Sequence, residues 1–172
     1  PETNLRQISC VYLRKIIGQL WCQLTADAQG KVKVVLLERF IAEPVMLIKK
    51  SIAEVIGSLG MILIPNNEWQ ELFQFFFKYS TQSDQVADKE LAMLLLSVII
   101  EYFSYDEIQT YYENLNPIIE GYLQSNIPSL QTLSIECVNG LSQIPKAVSV
   151  LKKYNQLIPL TLNALDLNNE DL

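Results

Sequence analysis

One arrangement of apolar residues occurs four times along this chain, at intervals of about forty residues. It consists of an apolar residue, then apolar or small residues at +4 and +5, then apolar residues at +8 and +11. The copies start at Leu5 (Ser9, Cys10, Leu13, Ile16), Ile48 (Ile52, Ala53, Ile56, Leu59), Ala87 (Leu91, Ala92, Leu95, Val98) and Leu130 (Ser134, Ile135, Val138, Leu141). The starts are 43, 39 and 43 residues apart. Such positions share one side of a helix that turns every 3.6 residues, so each copy marks a helix with an apolar stripe. Recurrence at this distance is the signature of paired-helix repeats of the HEAT or armadillo kind, roughly 40 to 47 residues per unit. In such a chain each unit seals the apolar flank of the next. The product is an extended, curved surface suited to holding a partner, not a single core around a buried active site.

The remaining pattern supplies the helices between these four. Apolar Leu5, Ile8, Val11, Tyr12, Ile16 and Leu20 predict a helix over about 4–23, and Ala26–Phe40 a second. Glu43–Pro44 opens a third, with proline at the first helical position, running to Leu63. Ile64–Pro65–Asn66–Asn67 ends it, and Asn67 is placed to cap a fourth that begins at Glu68–Trp69. After the polar loop Ser80–Gln85 come helices over Val86–Tyr102, Asp106–Leu123, from Ile127–Pro128 to just before Pro145, and Ala147–Leu165. Residues 166–172 are polar and expected to fray. Pro117 and Pro159 fall inside predicted helices 42 residues apart, one period. They read as a recurring kink in the first helix of consecutive units, against the rival that each ends a helix. No stretch alternates like a strand.

The expected fold is therefore all-α, a right-handed α-solenoid of antiparallel HEAT-type helix pairs. Its expected units are 1–24 (second helix of repeat 1), 25–64 (repeat 2), 65–104 (repeat 3), 105–145 (repeat 4) and 146–172 (first helix of repeat 5). A chain that opens on a second helix and closes on a first leaves Leu5, Ile8 and Tyr12 at one end, and Leu157, Leu160 and Leu162 at the other, without neighbours. This reads as a piece of a longer protein, prone to self-association through its ends.

Composition narrows the function. Of 172 residues 49% are hydrophobic, ample for a packed fold. The longest apolar runs, Val55–Ile64 and Leu91–Ile100, fall far short of the roughly 20 residues that cross a bilayer, so a soluble protein without a membrane partner is expected. There is no histidine, which removes Ser-His-Asp and Cys-His arrangements. The six glycines form no phosphate-cradling pattern. Cys10, Cys22 and Cys137 show no paired spacing and read as reduced thiols, not as metal ligands. Asp106 with Glu107, and Glu170 with Asp171, sit at a helix start and in the tail, where the dipole or solvent accounts for them. No enzyme, metal or cofactor is expected. A net charge of −6 disfavours direct nucleic-acid binding and favours a basic partner.

The first helix reads Leu5-Arg6-Gln7-Ile8-Ser9-Cys10-Val11-Tyr12-Leu13-Arg14-Lys15, followed by Trp21 and Leu24. This resembles the first-repeat motif of the importin-β (karyopherin-β) superfamily, R-Q-x-A-x-x-x-L-R-[KR] with a nearby tryptophan. Ser9 stands where the family usually has alanine. Trp69-Gln70-Glu71-Leu72 is similar to the family's third-repeat opening. Leu130–Ser134 and Tyr154-x-x-Leu157-Ile158-Pro159 are similar to fourth- and fifth-repeat segments. The nearest branch by this resemblance is the importins that carry ribosomal proteins and histones. The resemblance implies a nuclear transport receptor shuttling between cytoplasm and nucleus through the pore. Its implied partners are the GTPase Ran on the inner surface, Phe-Gly nucleoporins on the outer surface, and basic cargo. The alternative is a structural HEAT scaffold subunit of the phosphatase- or chromosome-organising type.

Two sets of residues are candidates for contact. Arg14 and Lys15, with Lys49, Lys50 and Glu54, lie off the apolar stripes of second-type helices, which usually line the concave face; they read either as partner contacts or as a solvated polar face. Arg6 reads as holding a neighbouring carboxylate in a stacking salt bridge. In the aromatic run, Trp69, Leu72, Phe73 and Phe76 follow core spacing. Phe75 and Phe77 point off that line and are the candidates for an apolar peptide groove, against a wide buried stripe. Trp21 reads as a plug at the junction of the first two pairs.

Overall fold

The computed structural model describes residues 2–144 and Pro159. Seven α-helices account for nearly all of this stretch: α1 (Thr3–Trp21), α2 (Ala26–Ala42), α3 (Met46–Leu63), α4 (Gln70–Thr81), α5 (Val86–Ile99), α6 (Tyr105–Leu123) and α7 (Pro128–Gln143), with a 3₁₀ turn at Ile100–Tyr102 after α5. There is no strand among the described residues. The fold is the all-α helical repeat that the pattern predicts. The helices bearing the four copies, α1, α3, α5 and α7, begin at Thr3, Met46, Val86 and Pro128, intervals of 43, 40 and 42 residues. The eighth predicted helix, at 147–165, and the neighbours of Pro159 lie outside the described residues.

The chain divides into two compact units, residues 1–69 and 70–172. In the first, α3 packs against both α1 and α2. Ile48, Ile52, Ala53, Val55, Ile56, Leu59 and Leu63 of α3 are all buried, so both its flanks are used. In α1 only Ile17 and Trp21 are buried, at 4% and 3% exposure. Leu5, Ile8, Tyr12, Ile16 and Leu20, which share the predicted apolar side, are exposed. The buried line of α1 instead runs through Arg6, Cys10, Ile17 and Trp21, towards α3. Trp21 closes the α1–α2 turn: its carbonyl accepts from Gln29 Nε2 at 2.9 Å, and Lys33 Nζ lies 6.0 Å from its ring centre.

The start of α3 differs from expectation. Pro44 is not its first residue; Glu43, Pro44 and Val45 are outside the helix, which begins at Met46. A residue before proline is pushed to extended backbone, and Glu43 complies with φ −72 and ψ 117. Its carboxylate then accepts the Val45 N–H at 3.0 Å and holds the linker open. Asn67 also differs: it ends α3 and does not cap α4. With φ 56 it is the one non-glycine residue of positive φ among those described. Asn67 N donates to Ile64 O and Glu68 N to Leu63 O, both at 2.9 Å. This is the paired closure of a Schellman motif, with asparagine in the position glycine usually fills. The chain reaches Trp69, 1% exposed, before α4 begins at Gln70.

In the second unit α5 packs on α4 and α7, and α6 on α7. Leu91–Leu96 are all buried, which accounts for the nearly unbroken apolar run in the sequence. Ser104 opens α6 with a capping box: its hydroxyl accepts from Glu107 N at 3.2 Å, and its own N–H donates to Glu107 at 2.7 Å. This accounts for one of the two carboxylates at that helix start. The helix runs unbroken through Pro117. Tyr122 of α6 donates its hydroxyl to the Ser80 carbonyl at 2.5 Å, tying α6 to the end of α4. Gly140 of α7 lies against Ile100; a Cβ there would stand 2.5 Å from the Ile100 Cγ2.

Candidate partner-binding faces

The α1–α3 pair carries five of the seven residues singled out by sequence. Because α1 and α3 lie side by side, Arg14 and Glu54, 40 residues apart, form an ion pair across the seam. Each keeps close to half of its side chain in solvent. Lys15 follows Arg14 and so sits about 100° further round α1, exposed. On α3, Lys50 is exposed and shares a face with Glu54, one turn on. Lys49 is half-buried, and its charge reaches back towards Glu43. The structure thus joins Arg14 to Glu54 and leaves Lys15, Lys49 and Lys50 spread over two helices.

Arg6 holds the stacking salt bridge read from sequence. Its Nη1 donates to both carboxylate oxygens of Glu43, at 2.6 and 2.5 Å. Glu43 is only 8% exposed. Burial alone would raise its carboxyl above the ordinary value. The Val45 N–H, the Arg6 guanidinium and the Lys49 charge outweigh burial and hold it below. Glu43 itself carries no sequence signal, because nothing local distinguishes it from any other carboxylate near a proline.

The aromatic candidates sit on α4. Phe75 is buried, 8% exposed, and its ring stacks on Tyr79 at 4.5 Å between centres. Phe77 is half-buried, edge-on to Phe76 at 5.1 Å and 6.5 Å from Tyr111. Phe73 stacks on Tyr111 at 4.6 Å and leans on Phe103 at 5.3 Å, so one aromatic cluster joins α4, α6 and the chain between α5 and α6. The wide buried stripe takes in Phe75, which therefore presents little ring surface to a peptide. Phe77 keeps more.

A feature without a motif lies on α2. Asp27, Gly30, Lys31, Val34 and Val35 line a shallow, open depression. Val34 and Val35 are 55% and 49% exposed, and nothing lies within 4 Å of where a Gly30 Cβ would be. Asp27 and Lys31 pair at 2.6 Å along its edge. A glycine in mid-helix beside two outward valines is the sequence signal that marks it.

Comparison with known proteins bears on what these faces belong to. The profile of the family described as "IPO5-like, TPR repeats" matches residues 44–170. A curated fission yeast protein, described as "Probable importin subunit beta-4" (Schizosaccharomyces pombe), is 26% identical over 103 residues. That alignment covers 60% of this chain and 10% of the relative, so the chain spans about a tenth of the length of the curated protein it matches. TPR repeats recur every 34 residues or so, whereas the helices here recur at 43, 40 and 42, the HEAT spacing. On the family match, which covers well over half of its residues, and on this helical repeat, the chain belongs to the IPO5-like repeat family of the importin-β superfamily.

Proposed function

We propose that this chain is a segment of a nuclear import receptor that contributes to binding Ran–GTP and to recognising cargo and nucleoporins. The observation that carries the reading is the family match over residues 44–170. The α1–α3 pair supports it: two second-type helices stand side by side, pair Arg14 with Glu54 across their seam and leave Lys15 and Lys50 exposed beside it. Charge supports the cargo side. Residues 1–69 hold eight Lys or Arg and six Asp or Glu, while residues 70–172 hold five and thirteen. The acidic excess lies wholly in the second stretch, where a basic protein is attracted. Ran and cargo acting on one repeat array compete when each weakens the other by a coupling free energy. The receptor shuttles between cytoplasm and nucleus on this reading. Phe77 is the nucleoporin candidate with ring surface to offer, and Phe75 contributes only if α4 shifts.

The test is a pull-down of the chain with Ran locked in the GTP state, beside Ran–GDP. Capture of the GTP form alone, weakened by Lys49→Glu with Lys50→Glu, is the expected result. Binding indifferent to nucleotide, or none in both this chain and a longer one containing it, favours the structural scaffold. For the nucleoporin part, Phe-Gly peptide binding unchanged by Phe77→Ala and Phe75→Ala removes the α4 groove.

A further inference from the structure

We propose that an open line along α3, continued onto α1, docks an acidic polypeptide segment that carries bulky apolar side chains. This deepens the reading of the α1–α3 pair as a partner surface and rests on it. Half of the 18 residues of α3 are buried, with α1 and α2 both packed on the helix. Leu47, Lys50, Glu54 and Met61 lie within an arc of about 60° on its remaining side. All four are exposed, Leu47 at 53% and Met61 at 56%. Since α1 and α2 are in place against α3, the opening belongs to this helix's own surface. From Leu47 to Met61 the line is about 21 Å long. The seam with α1 borders it: Arg14 pairs with Glu54, and a Cβ on Gly18 would stand 3.1 Å from Ile62 Cδ1. Val11 and Lys15 lie within about 60° of Gly18 round α1, on the side away from the buried line of Cys10 and Ile17. Both are exposed, so the face continues across the seam.

The acidic character of the occupant follows from what lies between the two apolar ends. A segment that covers both Leu47 and Met61 also covers Lys50. Among the described residues Lys50 forms no ion pair, and the Glu54 carboxylate one turn on is taken by Arg14. A cation removed from water without a counter-charge is costly. The segment that fits therefore sets a carboxylate opposite Lys50. Lys15, which also forms no ion pair among the described residues, accepts a second. A basic segment would bring like charge to this face, and a neutral one would strand Lys50. The face holds Arg14, Lys15 and Lys50 against Glu54 alone, a local positive excess in a chain of net charge −6. Its preference is thus opposite to that of the acidic stretch 70–172, so partners of either sign have separate surfaces on the chain.

Fluorescence anisotropy on the 172-residue chain tests this with labelled helical peptides. The first carries two leucines about four turns apart, matching the line, with glutamates between them. A second has lysines in place of the glutamates, and a third has serines in place of the leucines. The first should bind with Kd on the order of 50 μM, and the other two at least about 10-fold more weakly. Its affinity should fall several-fold between about 50 and about 300 mM salt. Lys50→Glu and Met61→Ser should each weaken it about 10-fold, and Lys50→Arg should retain it. Val34→Ser, at a site 55% exposed on α2, should change it less than about twofold. All these sites but Lys50 are more than half exposed, Lys50 is exposed too, and circular dichroism verifies that the variants stay folded. No binding of the first peptide, equal binding of the lysine peptide, indifference to Lys50→Glu or Met61→Ser, or equal loss in Val34→Ser overturns the proposal. Capture of Ran–GTP with no binding of the acidic peptide strikes this proposal and leaves the receptor reading standing; the acidic peptide bound at Lys50 and Met61 without capture of Ran does the converse.

Discussion

Replacing Arg6 by methionine isolates the energetics of the α1 anchor. Methionine keeps most of the stem and removes the guanidinium that donates to both oxygens of Glu43. What remains is a carboxylate 8% exposed, with the Val45 N–H as its donor and Lys49 at longer range. Removing one partner of a fully buried pair costs about 3–5 kcal/mol. Arg6 itself is 30% exposed, so solvent already screens the pair, and the expected cost is about 2 kcal/mol. Glu43→Gln leaves the less buried partner unpaired and keeps an acceptor for Val45, so about 1 kcal/mol is expected. Trp21 and Trp69 are the two tryptophans of the chain and both lie in the first unit, so tryptophan fluorescence in urea reads that unit. At a slope of about 1 kcal/mol per molar urea for a unit of this size, Arg6→Met lowers the midpoint by about 2 M and Glu43→Gln by about 1 M. The pH dependence has a definite sign. The folded Glu43 carboxyl is lowered, so its contribution is complete above the unfolded value near 4.3 and is lost as pH falls through the lower folded value. In Arg6→Met burial dominates and the carboxyl rises; its penalty, full at pH 7, is relieved on protonation. The gap between the wild type and Arg6→Met should therefore narrow by about pH 3. A larger cost for Glu43→Gln than for Arg6→Met, or a gap that is constant with pH, refutes the reasoning.

Three further outcomes are expected. Gly140→Ala should destabilise the second unit by about 1–3 kcal/mol despite better helix propensity, because its Cβ meets a buried Ile100; Gly30→Ala, with nothing near, should stabilise the first by about 0.5–1 kcal/mol, and thermal melts of the two compare them. Ser134 is fully buried and its hydroxyl has no hydrogen-bond partner, so Ser134→Ala should raise stability by about 0.5–1 kcal/mol in urea unfolding followed by circular dichroism. Asn67→Gly should be neutral or slightly stabilising, while Asn67→Val should cost about 1–2 kcal/mol by forcing a β-branched residue to positive φ, read by tryptophan fluorescence.

The repeat was legible because it rests on spacing alone. Apolar residues on one helix face, restarted about every forty positions, arise in few folds besides stacked helix pairs; α3 buries all five of its pattern residues, α5 buries Leu91, Ala92 and Leu95, and α7 buries Leu130, Ser134 and Leu141. The helix ends were less legible where tertiary bonds decide them. Glu43 is drawn out of helix by Pro44 and then held by Arg6, a residue 37 positions away. Asn67 is a good capping residue for either the helix before or the helix after, and the preference for closing α3 is set by two backbone bonds. On α1 the helix pairing leaves Leu5, Ile8 and Tyr12 without neighbours, and all three are exposed. The α1–α3 contact residues could be named as off-stripe, but the pairing of Arg14 with Glu54 needs the two helices to be adjacent first. Charge and aromatic content cannot distinguish Phe75 from Phe77, which the width of the α4 stripe separates.

The near approach of Gly140 to Ile100 has a mechanical consequence. The two pairs of the second unit are fastened at separate points: Tyr122 to Ser80 joins α6 to α4, and Gly140 against Ile100 lets α7 approach the end of α5. A bulkier side chain at position 140 is a wedge in the second of these joints alone. With the tyrosine acting as a pivot, it would pry α7 from α5 and change the local bend between adjacent pairs, so a single missing methyl group tunes how steeply one pair leans on the next.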